Sequence, residues 1–355
     1  MSSFISKIQR KLGKHLPAIK TTLLILFAGV VIFIFYSLSS PALNFFHSLL
    51  QGPNAAISIT KNPASTLRTT NDRTNVLLLG MGGEGHQGRL LTDSILLISY
   101  HHPSRKTTLI SIPRDIWVDS LKTKINATYY YGEQKKQGEG LTLAKSSVAE
   151  VTGLPVHYAF ALDFEGFTEA IDLVGGVEID VKNSFDDYKY PIPGMENAYP
   201  ESARYQHLHF DAGLQTMSGD RALKYVRSRN AQGEEGTDFA RTRRQQQVLM
   251  AFVEKLLSQK TLLKPQKISQ LFDLYQRYIT TDISQTEYPA FARLVLMADT
   301  KSINSVPLTA KSQENKLGIL EHPINQTPYD GQWVLIPRDN NWQALHQYIQ
   351  NNLNQ

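Results

Sequence analysis

Six arginines and one lysine lie between Arg221 and Arg244. Guanidinium groups at this density suit the bidentate binding of phosphate oxygens. Most fall in two helix-like runs within residues 214–247, the first at 220–227 and the second from about 238, with the stretches LKYVRSR (223–229) and DFARTRRQQ (238–246), joined by a glycine-rich acidic connection at 232–236. Ser218 is placed to cap the first run, and Thr237 or Asp238 the second, which continues to about residue 258. At about 100° per residue, Asp238, Arg241 and Gln245 fall within about 60° of one another. Leu249, Phe252 and Leu256 extend that stripe, and Arg243, Gln247 and Glu254 lie roughly opposite. The stripe is therefore expected to face the core with Arg241 in it, and a buried arginine needs an anionic partner. Asp238 is one such partner. A phosphate at the helix N-terminus is the other. One aspartate cannot neutralise several guanidinium groups, so Arg227 and Arg229 favour the phosphate.

A second set of reactive side chains sits at strand ends. Asp93 directly precedes one apolar run, and Arg114-Asp115 directly follows the next. Strand-end carboxylates and arginines around one loop suit Mg²⁺ and an oxygen-rich ligand. Equally, Asp93 serves as a turn residue and Arg114 pairs with Asp115 or Asp119. Ahead of Asp93, after the apolar run at 75–80, Gly80, Gly82 and Gly85 match G-x-G-x-x-G. A dinucleotide site needs a helix after the glycines. The next strand begins within nine residues of Gly85, so the loop is read instead as backbone able to approach a phosphate.

The elements that must hold these residues follow from periodicity. Residues 75–80, 94–100 and 107–113 are short apolar runs, read as strands, the last two forming a hairpin. Helices are expected at 142–152 and 164–174, each ended by glycine, with strands at 158–162 and 177–181. Phe167, Ile171 and Val174 share one face of the 164–174 helix, which can pack in a core or line a cavity for a lipid tail. Residues 183–209, rich in tyrosine and proline, read as an exposed loop or β-excursion. Helices at 262–278 and 285–299, strands near 304–308 and 333–336 and a helix from residue 341 complete the chain.

The first twenty residues hold five basic side chains and no acid, and residues 21–38 are uncharged and mostly apolar. At 1.5 Å per residue that segment spans about 27 Å, close to a bilayer core. The basic flank predicts a cytoplasmic N-terminus and an extracytoplasmic remainder. A cleaved signal peptide fits less well, because the apolar region is long and no A-x-A site follows. The formal charge of +5 from 37 basic and 32 acidic residues leaves the body neutral once the tail's five are set aside. The basic balance of the whole chain therefore does not indicate nucleic-acid binding by the body, and none is expected. The absence of cysteine excludes disulfides, thiolate zinc sites and thiol catalysis.

NVLLLG, LTDSILLIS, LISIPRDIWV, KINA at 124–127, HYAFALDFEGFTEAIDLVGGVEIDV and the two arginine runs occur in an order that resembles the LytR–CpsA–Psr family of envelope glycopolymer ligases. The resemblance covers nearly all of the chain beyond residue 71. It implies an α/β fold with a central mixed β-sheet and helices on both faces, preceded by one transmembrane helix. The organisation expected is a basic tail (1–20), an anchor (21–38), a juxtamembrane linker (39–70) and one catalytic domain (71–355). The implied activity is transfer of a glycopolymer from a polyprenyl-pyrophosphate carrier to a peptidoglycan hydroxyl, at the membrane and assisted by Mg²⁺. In those roles Asp93, Arg114 and Arg241 would be catalytic. Arg227, Arg229, Gln245, Lys124 and Asn126 would bind the pyrophosphate. The family's first acidic metal ligand falls here on Gly82, leaving Asp93 with Glu84 or His86 as a replacement. A non-catalytic binder of lipid-linked glycans, an envelope regulator and a polyprenyl-pyrophosphate hydrolase are the competing readings.

Overall fold

The computed structural model describes residues 62–83, 88–195, 197–258, 261, 264–298, 303–311 and 318–353. The anchor expected at 21–38, its basic tail and most of the linker lie outside them, as do Glu84 and His86. Among the described residues no helix is long and apolar enough to cross a membrane.

β1 (Arg73–Met81), β2 (Thr92–His101) and β3 (Thr107–Ile112) form an antiparallel meander. The small β4 (Trp117–Val118) and β5 (Thr123–Lys124) pair beyond it, followed by helices α1 (Thr128–Lys135) and α2 (Gly140–Thr152). β6 (Tyr158–Asp163) returns parallel to β1. After α3 (Phe164–Val174) come β7 (Val177–Val181), β8 (Phe185–Pro191), β9 (Tyr205–Phe210) and β10 (Gly213–Met217). α4 (Gly219–Arg227), α5 (Asp238–Leu257), α6 (Pro265–Tyr278), β11 (Ile279–Thr281) and α7 (Tyr288–Met297) follow. β12 (Ile303–Pro307), β13 (Leu320–Glu321), β14 (Ile336–Pro337) and α8 (Trp342–Leu353) end the described chain. The central sheet runs β11-β6-β1-β2-β3-β12, with the β6–β1 and β3–β12 pairs parallel and the other pairs antiparallel. It is thus the mixed sheet expected.

Strand alternation sends side chains to two separate cores. Leu77, Leu79, Leu97 and Ile110 pack with Val148 and Val151 of α2 and Leu345 and Ile349 of α8. Val76, Tyr100 and Tyr158 face the other way, against Ala290 and Leu294 of α7. Helices therefore cover both faces. A third core lies beside the sheet, where Ile171 of α3 and Val248 of α5 meet β7, β8, β9 and β10. The stripe on α3 is thus core packing: Ile171 and Val174 are buried and Phe167 packs against the same cluster.

Residues 183–209 form a β8–β9 hairpin, with a register shift between Asp187 and Tyr190. Burial of Phe185, Tyr190, Leu208 and Phe210 explains the pairing. In the glycine loop, β1 runs through Gly80, and a turn rather than a helix occupies residues 88–90 before β2. This geometry does not form a dinucleotide-binding βα unit.

Candidate active site at the strand ends and the arginine helices

α4 begins as its sequence requires, with the Ser218 hydroxyl accepting from Arg221 N at 3.4 Å, and ends at Arg227. Thr237 caps α5, its hydroxyl accepting from Ala240 N at 3.2 Å. Between the helices, the wholly buried Asp187 gathers the chain. One of its oxygens accepts from Ser228 Oγ at 2.7 Å and from the backbone N of Arg229 and of Asn230, each at 3.2 Å. The Arg227–Asn230 turn is thereby held on the β8–β9 hairpin. The Arg227 guanidinium lies 4.3 Å from the Phe164 ring centre, and its Nη1 donates to Tyr190 Oη at 3.3 Å.

On the sheet side, Asp93 opens β2 and Arg114 follows β3. The Arg114 guanidinium donates to the Asp93 carboxylate, and its Nε lies 3.7 Å from Asp115. The KINA element braces this pair from behind. Asn126 N donates to Arg114 O at 3.2 Å, Thr92 Oγ1 donates to Asn126 O at 3.2 Å, and Lys124 Nζ donates to Asp115 at 3.0 Å. Gln245 of α5 closes the gap, donating from Nε2 to Ser94 Oγ at 3.0 Å.

These residues surround one cavity of about 1400 Å³. Asp93, Arg114, Arg227, Arg229, Arg241 and Gln245 all line it. Lys124 and Asn126 do not: they stand behind Arg114 and hold its backbone and its neighbour Asp115. Seven basic side chains line the cavity against three acidic ones, so a neutral protein body concentrates positive potential in one concave site. An anion of two or more charges is the ligand this field attracts.

The structure corrects the helical projection of α5. Its deepest stripe is Ala240, Arg244 and Val248; Arg241 and Gln245, expected there, are only half-buried, and the side chain of Asp238 is outside what the structure describes. Arg244, wholly buried, is the arginine that needed an anion. Its Nη1 donates to Glu235 Oε2 at 2.9 Å and Glu235 O at 2.8 Å; Nε donates to Tyr225 O at 3.0 Å and Nη2 to Ser228 O at 2.7 Å. Burial draws the Arg244 pKa below the usual arginine value despite the opposing Glu235 charge, yet a guanidinium keeps its proton. Burial pushes the Glu235 carboxyl up, but hydrogen bonds from Asn183 and Arg243 and the charges of Arg243 and Arg244 outweigh it and hold Glu235 below the usual glutamate range. Arg243, projected to the opposite side, also lines the cavity and donates to Glu235. It is therefore part of the site wall.

Sequence reasoning missed Asp187, Glu235 and Arg244. The acidic Gly-Glu-Glu-Gly connection beside so many arginines was the one available signal for Glu235. For Asp187, in a stretch read as a loop, there was none.

Among the described residues no group of three or more His, Cys, Asp or Glu is placed to hold a metal. Mg²⁺ needs one or two carboxylates, its remaining positions being filled by water and substrate phosphates. Asp93, partly exposed at the cavity wall, fits as the single carboxylate of such a site, sharing its oxygens with Arg114.

The LytR_cpsA_psr family model matches residues 46–343. The polyisoprenyl-teichoic acid–peptidoglycan teichoic acid transferase TagV of Bacillus subtilis is 28% identical over 244 residues, covering 66% of this chain and 56% of that protein. The chain thus aligns with little more than half the length of that relative. TagU of Oceanobacillus iheyensis, a transferase of the same description, is 29% identical over 281 residues, covering 78% of this chain and 79% of that protein. The crystal structure of B. subtilis TagV superposes with a TM-score of 0.53 at 22% identity, covering 81% of this chain and 99% of that one, which establishes the likeness of fold.

Proposed function

The chain belongs to the LytR–CpsA–Psr family, and from that premise we propose that it is a membrane-anchored phosphotransferase. It moves a glycopolymer from a polyprenyl-pyrophosphate carrier to a hydroxyl of peptidoglycan, outside the cytoplasmic membrane. The observation that carries this reading is convergence. Asp93 and Arg114 at the strand ends meet Arg227, Arg229, Arg241 and Gln245 on the wall of one cavity, across more than a hundred residues of chain. The relatives' names, transferases of a polyisoprenyl-linked polymer to peptidoglycan, support the same class of donor and acceptor.

Phosphoryl transfer asks a protein mainly for positioning and charge stabilisation. Arg227, Arg229 and Arg241 bind the pyrophosphate, Asp187 holding the backbone of Arg229 in place and Tyr190 and Phe164 flanking Arg227. The acceptor oxygen bonds to the phosphorus that carries the polymer as that phosphorus releases the bridging oxygen, and polyprenyl phosphate leaves. Arg114 lies at the cavity wall to meet the charge that develops. Mg²⁺, when bound at Asp93, supplies further neutralisation of the phosphate oxygens.

Full-length protein in detergent, incubated with Mg²⁺, labelled polyprenyl-pyrophosphate glycan and peptidoglycan, should place the label covalently on peptidoglycan. Free released glycan would make the protein a hydrolase. Intact donor held by the protein would make it a binder.

A single carboxylate makes a second expectation. Mg²⁺ alone should bind weakly, and a soluble pyrophosphate analogue should strengthen its binding, each ligand raising the other's affinity by the same factor. Calorimetric titration with and without the analogue measures that factor. Tight Mg²⁺ binding to the free protein would mean that a second acid, such as Glu84, completes the site.

A further inference from the structure

The residues assigned so far bind and neutralise phosphate, but none is a free proton acceptor. Arginine does not deprotonate in proteins, and the Asp93 carboxylate is engaged by Arg114. A hydroxyl that attacks phosphorus must still lose its proton.

His322 lines the same cavity. Its Nδ1 lies 2.8 Å from Val334 O. A carbonyl oxygen only accepts, so Nδ1 carries the hydrogen, and in the neutral ring Nε2 is left with its lone pair. No described residue occupies Nε2. The ring packs tilted against the Trp333 indole, with centres 3.7 Å apart and planes 30° apart. Trp333 is 53% exposed, whereas Val334, Leu335 and Ile336 beside it are all buried, so the indole projects from a fixed base. That base is tied to the phosphate site: Leu335 N donates at 2.8 Å to the carbonyl of Asp115, the residue after Arg114, and Leu335 O accepts from Trp117 N at 2.9 Å. Glu321, next to His322, pairs with Ile336 in the β13–β14 ladder. The imidazole is therefore held in one tautomer by Val334, whose neighbour Leu335 is bonded to Asp115.

We propose that His322, in the cavity wall, and Trp333, exposed beside it, receive the acceptor: Trp333 offers its exposed indole surface to a sugar ring of the acceptor glycan, and His322 Nε2 takes the proton from its attacking hydroxyl. The inference rests on the transferase reading above. As the acceptor oxygen bonds to phosphorus and the bond to the bridging oxygen breaks, the hydroxyl proton passes to Nε2 and polyprenyl phosphate departs. The imidazolium then returns its proton to solvent water. The apolar C–H face of a pyranose suits the indole surface, and an imidazole is the commonest general base near neutral pH.

The test uses the full chain in detergent, a labelled polyprenyl-pyrophosphate glycan, Mg²⁺ and a soluble peptidoglycan fragment as acceptor. His322→Gln should lower kcat for transfer by about 10²- to 10⁴-fold, leave donor Kd within about twofold, and abolish the rise of kcat/KM with pH. Trp333→Ala should raise acceptor KM about tenfold with little change in kcat, and Trp333→Phe should recover part of that loss. Wild-type transfer rates in His322→Gln, or a pH rise that persists in it, would overturn the assignment. So would loss of donor binding in that variant, because the histidine would then be structural. Transfer absent in the wild-type protein would overturn the transferase reading itself, whereas transfer that survives His322→Gln overturns only this one.

Discussion

Arg244→Ala should cost about 3–5 kcal/mol of folding stability, the range for removing one partner from a buried ion pair. The side chain is completely buried and makes four hydrogen bonds to Tyr225, Ser228 and Glu235. Its removal leaves three carbonyl acceptors in a cavity that water must enter or leave unsatisfied. A loss of this size is a large fraction of a typical domain's stability. Urea unfolding followed by circular dichroism measures it directly. Lys255→Ala, on the same helix and paired at the surface with Glu178 of β7, should change stability by about 1 kcal/mol or less. Equal effects for the two variants would refute the structural role of Arg244. The Glu235 carboxyl adds a pH dependence. Its folded pKa is depressed, so its contribution is complete above the ordinary glutamate value of 4.5 and declines as pH falls through the folded value. Stability should therefore fall on acidification below that point, and less so in Glu235→Gln.

Arg227→Ala and Arg241→Ala should each reduce glycopolymer transfer by about 10²- to 10³-fold, the usual effect of deleting one preorganised charge stabiliser. Donor affinity should weaken by about ten- to a hundredfold, from the 1.5–3 kcal/mol carried by a charge-assisted hydrogen bond. Both side chains line the cavity at the ends of helices whose cores lie elsewhere, so stability should change little. Binding of a fluorescent polyprenyl pyrophosphate, measured beside unfolding curves, separates the two effects. Arg243 cannot serve as the neutral control that its helical phase suggested, because it lines the cavity and supports Glu235. Lys255 can. Variants that bind donor as wild type does would remove these arginines from the pyrophosphate site.

Local pattern alone determined much of this protein. Apolar runs and glycine punctuation placed β1, β2 and β3, the α3 helix with its Gly175–Gly176 ending, and the two capped arginine helices. These depend on interactions within a few residues, where spacing and side-chain type are sufficient. The concentration of guanidinium groups was legible for the same reason, as were Asp93 and Arg114 as strand-end residues.

Only tertiary structure decided which arginine is buried. A helical projection gives the period of α5 but not its rotation relative to its neighbours. That rotation is set jointly by β2 and β12, which meet Gln245 and Gln246, and by α4 and β7, which meet Gln247. With contacts on both flanks the helix has no single polar face, so Arg244 turns inward to Glu235 while Arg241 faces the cavity. The same limit hid Asp187 and His322. Each acts on residues distant in sequence, Asp187 on the Ser228–Asn230 turn and His322 beside Arg114 through Val334 and Leu335. Such neighbours are created when separate elements pack on one sheet, and no spacing along the chain encodes them.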